Sequence, residues 1–342
     1  MLVTLIDDSI PFNGMTPANQ PLGGAEKAFA SLPAALARAG HVVRVINRTP
    51  NPLIFEDANW LSWDGKRPAI TEVLIAFRKP RLLESVRTTN ARILWLTGPA
   101  EYLDRPQVKD MFERTKVKLV FLGPAHQETY GGSGHFSLHN IAPGIRQEYL
   151  EAEEMKPRNI PTAIVTTHPK HGLDWLIDIW INRIRPTITN AELHIYSASF
   201  KNADNGGNLP DDLNSIYKKA LAAAQHGIVF KSPAGDREMA EFYREARVHL
   251  YPGSEREMYC STLAESQAVG LPAVARSMGA VKERVVGDKS AFLTDIDSDF
   301  ADHTIKILTD NDEFKSLSIV ARRHGRTRSW DSTASEFEKI FR

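Results

Sequence analysis

Tyr251-Pro252-Gly253-Ser254-Glu255-Arg256-Glu257-Met258-Tyr259-Cys260-Ser261-Thr262-Leu263-Ala264-Glu265-Ser266-Gln267-Ala268-Val269-Gly270-Leu271-Pro272 is the stretch from which the fold can be read. An apolar run, Val248 to Tyr251, ends in a Gly/Ser turn. A helical pattern follows from near Ser261 to Val269, and a second apolar run occupies Pro272 to Ala275. Strand, turn, helix and strand in that order form one unit of a parallel sheet, and such sheets bind ligands beyond the carboxyl ends of their strands. Glu257 precedes the helix and Glu265 lies inside it, eight positions on. The N–H groups of the first helical turn have no intrahelical partner and favour an anion. A carboxylate on either side accepts hydrogen bonds from hydroxyls. The combination suits a sugar–diphosphate–ribose ligand. Spacing alone leaves a second reading equally open, in which Glu257 is solvated and Glu265 is a surface helix residue.

The same alternation extends outward. Upstream come strands at Thr162–Thr167, Glu192–Tyr196 and Ile228–Phe230, with helices at Gly172–Arg183, Leu213–Ala224 and Asp236–Ala246. Before them, Glu151 to Pro161 is polar, charged and carries two prolines, so it is expected to join two domains. The first half repeats the theme: runs at Leu2–Ile6, Val42–Ile46, Glu72–Phe77, Ile93–Leu96 and Val117–Leu122 alternate with helix-length segments. Apolar runs buried on both faces predict an α/β protein with two doubly covered parallel sheets. The expected domains are residues 1–152 and 153–328. The C-terminal stretch 329–342 places Trp330, Ala334, Phe337, Ile340 and Phe341 on one helical face and is expected to complete the first domain. Pro33 inside the first helix predicts a kink.

Composition narrows the function. At 342 residues the chain has room for two cores. Lys+Arg and Asp+Glu number 42 each, which disfavours a nucleic-acid partner. One cysteine, Cys260, excludes an internal disulfide and fits a reducing compartment. No apolar run reaches the length of a membrane span, so membrane contact is expected to be peripheral at most. Gly23-Gly24 precede the first helix and let a ligand approach its N-terminus, or else only shape the turn. No G-x-G-x-x-G follows the first strand, which argues against a dinucleotide enzyme. No clustered carboxylates or other metal-ligand set is seen. Among the histidines, His41 begins a strand after a Gly cap, His194 and His249 are expected to be packed within strands, and His135 and His139 flank a Gly-rich loop.

The 251–272 stretch resembles the E-x7-E region of the retaining GT-B glycosyltransferases of family four, the glycosyl transferases group 1 type. Glu257, Cys260, Glu265, Ala268, Gly270 and Pro272 fall in register with it. The resemblance continues through Thr166–Asp174, Ala191–Ser199, Val229–Met239 and Ala280–Val285. In the first half it takes in Gly23-Gly24-Ala25-Glu26 and Ile141–Ile145, and at the end Ser329-Trp330-Asp331. It implies a GT-B fold, two Rossmann-like lobes facing each other across a cleft, with the donor on the C-terminal lobe and the acceptor mainly on the other. It implies that Glu265 holds the ribose, that Glu257 holds the hexose, and that N–H groups near Ser261 and Thr262, beside Cys260, meet the diphosphate. The base would lie against Lys231 and Ser232.

The resemblance also implies no metal and no cofactor, with a nucleoside-diphosphate sugar of UDP or GDP type as substrate. The acceptor would be a glycan or a lipid-linked glycan, as in bacterial envelope or exopolysaccharide synthesis. The expected location is the cytoplasm, peripheral at the inner face of the membrane. The chain departs from the family at two places. Where the family offers Arg and Lys to the diphosphate, this loop offers Thr167 or His168 and His171 or Lys170. Where many relatives carry a histidine that reaches the donor sugar, Thr97 stands. A competing expectation is therefore a GT-B protein that binds a sugar nucleotide with weak or no turnover. Another GT-B enzyme, such as an epimerase, is a further alternative.

Overall fold

The computed structural model describes residues 1–132 and 136–342. The chain divides into two compact units, Met1–Arg146 with Arg328–Arg342, and Gln147–Thr327. The parting point precedes the prolines of the polar stretch. Helix Gln147–Leu150 is part of the second unit because buried Tyr149 donates from its hydroxyl to Asp236 Oδ1 at 2.7 Å.

In the first unit eight strands form one sheet: β1 Leu2–Ile6, β2 Val42–Asn47, β3 Leu53–Phe55, β4 Ala58–Ser62, β5 Val73–Phe77, β6 Ala91–Trp95, β7 Lys118–Phe121 and β8 Ser137–Asn140. Their order is β3-β4-β2-β1-β5-β6-β7-β8. All pairs are parallel except β3 with β4. The central strand β5 is wholly apolar and buried, as a sheet covered on both faces requires. The helix Gly24–Arg38 continues through Pro33 as one element. It stops because Gly40 adopts φ +88°, which lets His41 N–H reach Leu36 O and Gly40 N–H reach Ala37 O, a Schellman closure.

The C-terminal helix Trp330–Glu338 starts at Ser329, whose side chain accepts from Ser332 N–H. Trp330 and Phe337 both pack edge-on against Trp95 of β6. Ile145 N–H donates to Arg328 O at 3.0 Å. A Cβ on Gly144 would lie 2.5 Å from the backbone of Ser329 and Trp330, so only glycine permits that approach.

The β3–β4 hairpin turns on Glu56 (φ 45°) and Asp57 (φ 61°), both left-handed. Two positive-φ residues make the tight turn whose preferred sequence is Asn-Gly. Asp57→Gly is therefore expected to stabilise the protein by about 0.5–1 kcal/mol, the relieved backbone strain outweighing the added freedom of the unfolded chain. Urea unfolding at constant slope reads this directly; a lower midpoint than wild type would contradict it.

The second unit contains β9 Thr162–Val165, β10 Glu192–Tyr196, β11 Ile228–Lys231, β12 Val248–Tyr251, β13 Ala273–Ala275 and β14 Ala291–Leu293. All run parallel in the order β11-β10-β9-β12-β13-β14. The order reverses between β9 and β12, which makes their carboxyl ends the topological switch point where such sheets take ligands. In the first unit the equivalent point lies between β1 and β5.

Candidate functional site

Three loops meet beyond the switch point of the second unit. The loop after β9 ends at Gly172, which caps the following helix at φ +82°; a Cβ there would lie 3.0 Å from Pro252 Cβ. The loop after β12 turns at Gly253 (φ +72°) and closes with Glu257 N–H donating to Ser254 O. The third, after β13, brings Gly279 so close that a Cβ would lie 2.6 Å from Glu257 O and 2.7 Å from Ser254 O. Ala280 N–H then donates to Glu257 O at 3.0 Å. The backbone of Glu257 is thus fixed from both sides, although it lies outside any helix or strand.

The Glu257 side chain is 17% exposed. Its Oε1 accepts from the Tyr251 hydroxyl at 2.8 Å and lies 3.6 Å from His171 Nδ1. Its Oε2 is buried and has no protein partner, as are Thr167 Oγ1 and His171 Nδ1. Buried polar atoms nearly always have partners, so three unused ones in adjoining loops mark a place built to receive hydrogen bonds. His168 accepts from Lys170 N–H through Nδ1, and burial, then His171 and Lys170, push its pKa down. The Lys170 ammonium is paired with Asp212, so its charge is already engaged.

The helix Ser261–Val269 begins at Cys260, a left-handed residue (φ 57°, ψ 54°) whose side chain makes no capping bond. No acid stands in the first turn, and the N–H groups of Ser261 and Thr262, which have no intrahelical partner, carry the positive end of the helix dipole. Burial pushes the Cys260 thiol far above its usual range, so it is a neutral packing group and not a nucleophile. Glu265 is 7% exposed, and its charge helps hold the protons on Tyr149 and Tyr243, after burial.

A buried chain of hydrogen bonds secures this helix to the sheet. Ser266 Oγ donates to Leu263 O, so it accepts from His249 Nδ1 at 2.8 Å. His249 Nε2 is then free to accept from Thr166 Oγ1 at 3.1 Å. Burial lowers the His249 pKa to about 3, which keeps the ring neutral, and its two partners fix this tautomer.

Sequence reasoning passed over Tyr251 and Arg284. Tyr251 reads as one more apolar strand residue. Arg284 lies over the Tyr259 ring at 4.4 Å and pairs with Glu283 at 2.8 Å, which places a cation near the Cys260 helix start. Lys231 and Ser232 sit at the carboxyl end of β11, three strand spacings from β12, about 14 Å across the sheet.

Gly23, Gly24 and Thr97 belong to the first unit. Gly23 caps its helix, and a Cβ there would meet Glu26 Oε2 at 2.5 Å. Glu26 pairs with Arg78, a left-handed residue after β5. At that switch point Lys79 pairs with buried Asp8 at 2.6 Å, Arg81 pairs with it too, and burial raises the pKa of Asp7 beside them. These charged groups were not anticipated. Thr97 follows β6, and the next residue's carbonyl, Gly98 O, accepts from His126 Nε2 at 2.8 Å. Burial lowers the His126 pKa to about 4. His139 bonds to Ser137 within β8, and His135 lies outside the described residues. Among the described residues no group of three or more His, Cys, Asp or Glu is placed to hold a metal ion, and no helix is long and apolar enough to cross a membrane.

Residues 162–310 match the family model of glycosyl transferases group 1. The D-inositol 3-phosphate glycosyltransferase of Thermomonospora curvata is 34% identical over 115 residues, 33% of this chain. That match spans only 26% of the relative's length. The chain is similar to the sucrose-phosphate synthase of Thermosynechococcus elongatus, at TM-score 0.76 and 14% identity over 99% of this chain and 98% of that one. HepE of Anabaena, solved in complex with UDP and glucose, gives TM-score 0.72 and 13% identity over 99% and 98%. At these identities the structural likeness shows a common fold.

Proposed function

We propose that this chain, which has the GT-B fold and belongs to the glycosyl transferases group 1 family, transfers a hexose from a nucleoside-diphosphate sugar to an acceptor with retention of configuration. The observation that carries this is the second unit's arrangement of Glu257 Oε2, the uncapped Ser261 helix start and the inward Glu265 around one switch point. In this reading Glu265 takes the ribose hydroxyls, the N–H groups of Ser261 and Thr262 take the diphosphate, and Glu257 takes the hexose. His168 and His171, with Thr167, line the phosphate side, and Lys231-Ser232 border the base. Gly23, Gly24 and Thr97 serve the transfer from the first unit. The structure solved with UDP and glucose supports a UDP-type donor, with GDP as the other choice. A glycan or lipid-linked acceptor at the inner face of the cytoplasmic membrane completes the proposal.

A second reading is a sugar-nucleotide binder with weak turnover. It is favoured by Thr97 in place of a histidine and by Lys170, whose charge is taken by Asp212. Two measurements decide. A thermal-shift panel of UDP, GDP, ADP and their common sugar conjugates should show one family raising Tm; a ligand at a hundred times its Kd adds about 2.7 kcal/mol. Slow hydrolysis of that sugar nucleotide without acceptor marks an enzyme, and its absence marks a binder.

Turnover is expected to survive excess EDTA. The helix dipole and hydrogen-bond donors at Ser261 and Thr262 would do the electrostatic work on the leaving diphosphate that a divalent ion does elsewhere. Loss of activity in EDTA, restored by manganese or magnesium, would overturn metal independence.

A further inference from the structure

We propose that Tyr251 is a positioning residue for Glu257: its hydroxyl holds Oε1 so that Oε2 alone faces the donor hexose. This rests on the assignment of Glu257 to the hexose. Tyr251 is the last residue of β12 and fully buried, so its ring is fixed by the sheet. Its hydroxyl donates to Glu257 Oε1 at 2.8 Å, while Oε2 of the same carboxylate is buried and unused.

The two oxygens therefore have different duties. The backbone of Glu257 is pinned by Ser254 O and Ala280 N–H, but a glutamate side chain keeps three rotatable bonds beyond it. Among the described residues the one side-chain donor within hydrogen-bond distance of Oε1 is the phenol; His171 Nδ1 stands at 3.6 Å, beyond a hydrogen bond. Burial, with Cys260 and Glu257 beside it, keeps the Tyr251 proton in place, so the phenol remains a donor at any ordinary pH. A carboxylate left without that donor would swing, and a misplacement of about 1 Å in a reacting site is enough to cost rate. A bland role, in which the ring only fills the end of the strand, would be served equally well by phenylalanine.

The test is Tyr251→Phe, alone and combined with Glu257→Ala. The probe is whichever of UDP-glucose, UDP-N-acetylglucosamine, GDP-mannose and ADP-glucose gives the largest thermal shift, followed by its turnover. Tyr251→Phe keeps the ring and its packing. It is expected to lower kcat about tenfold, with Kd for the matching nucleoside diphosphate and Tm close to wild type. In the Glu257→Ala background the same change is expected to cost nothing further, because the oxygen it positions is gone. Wild-type turnover in Tyr251→Phe beside a crippled Glu257→Ala would overturn the positioning role alone. An additive loss in the double variant, or a parallel fall in nucleotide affinity and Tm, would reduce Tyr251 to a structural residue. Wild-type turnover in Glu257→Ala would remove the hexose assignment itself, and this proposal with it.

Discussion

Glu265→Ala is expected to weaken binding of the nucleoside diphosphate about ten- to a hundredfold. The side chain sits one turn inside the helix that starts at Ser261, at 7% exposure. A carboxylate so placed is held by its surroundings: Tyr149 and Tyr243 stand close enough for its charge to help keep their protons. Hydrogen bonds from ligand hydroxyls to a charged acceptor contribute about 1.5–3 kcal/mol, which converts to the stated loss. Ribose is common to the donor and to the free nucleotide, so calorimetry with UDP and GDP suffices and no acceptor is needed. The buried tyrosines lose a neighbour in this variant, so Tm must be recorded beside Kd. Wild-type affinity in a folded Glu265→Ala protein would remove the ribose from this position and, with it, the register on which the donor site is laid out.

Much of this architecture follows from the sequence because period and punctuation agree in it. Val248–Tyr251 and the helix to Val269 lie where apolar runs and the Gly253 and Gly270 turns put them. The strands that escaped are of another kind. β3, β4, β8 and β14 are three to five residues long, and all four carry half-exposed or polar positions. A run that short cannot show a period, and the β3–β4 turn is made by Glu56 and Asp57 in place of its usual residues.

The candidate site divides in the same manner. Glu257 and Glu265 are legible through their eight-residue spacing across a helix start and through the family resemblance of the stretch that carries them. The partners that give them chemical meaning do not, because they come from other elements. The Tyr251 hydroxyl, the Tyr149 and Tyr243 pair beside Glu265, and the Thr166–His249–Ser266 chain are set by strand order. Lys170 shows the converse. Its loop makes it a diphosphate cation on paper, yet Asp212, on the helix Asp211–Ala222, takes its charge. In the first unit the Asp8 cluster with Lys79 and Arg81 arises only because β1 and β5 are neighbours.

Glu257→Gln is expected to lower kcat for transfer about a hundredfold while leaving nucleoside diphosphate affinity nearly unchanged. The substitution keeps the size of the side chain and removes its charge. An amide has one acceptor oxygen, and the Tyr251 hydroxyl claims an acceptor at the Oε1 position. The group then facing the ligand from the Oε2 position is an NH2, a donor where a sugar hydroxyl needs an acceptor. The hexose is therefore met by the wrong polarity at the carbon framework that must break its bond to phosphate. A loss of charge stabilisation and of orientation at the reacting centre falls on the transition state more than on the ground state, so it appears in kcat. The nucleotide does not reach Glu257 in this layout, so Kd for UDP or GDP is the internal control. The informative result is the contrast between the two glutamates: affinity lost at Glu265 with Glu257 untouched, and turnover lost at Glu257 with affinity kept. Full transfer activity in Glu257→Gln would mean that the hexose is held elsewhere and that the unused oxygen serves another ligand.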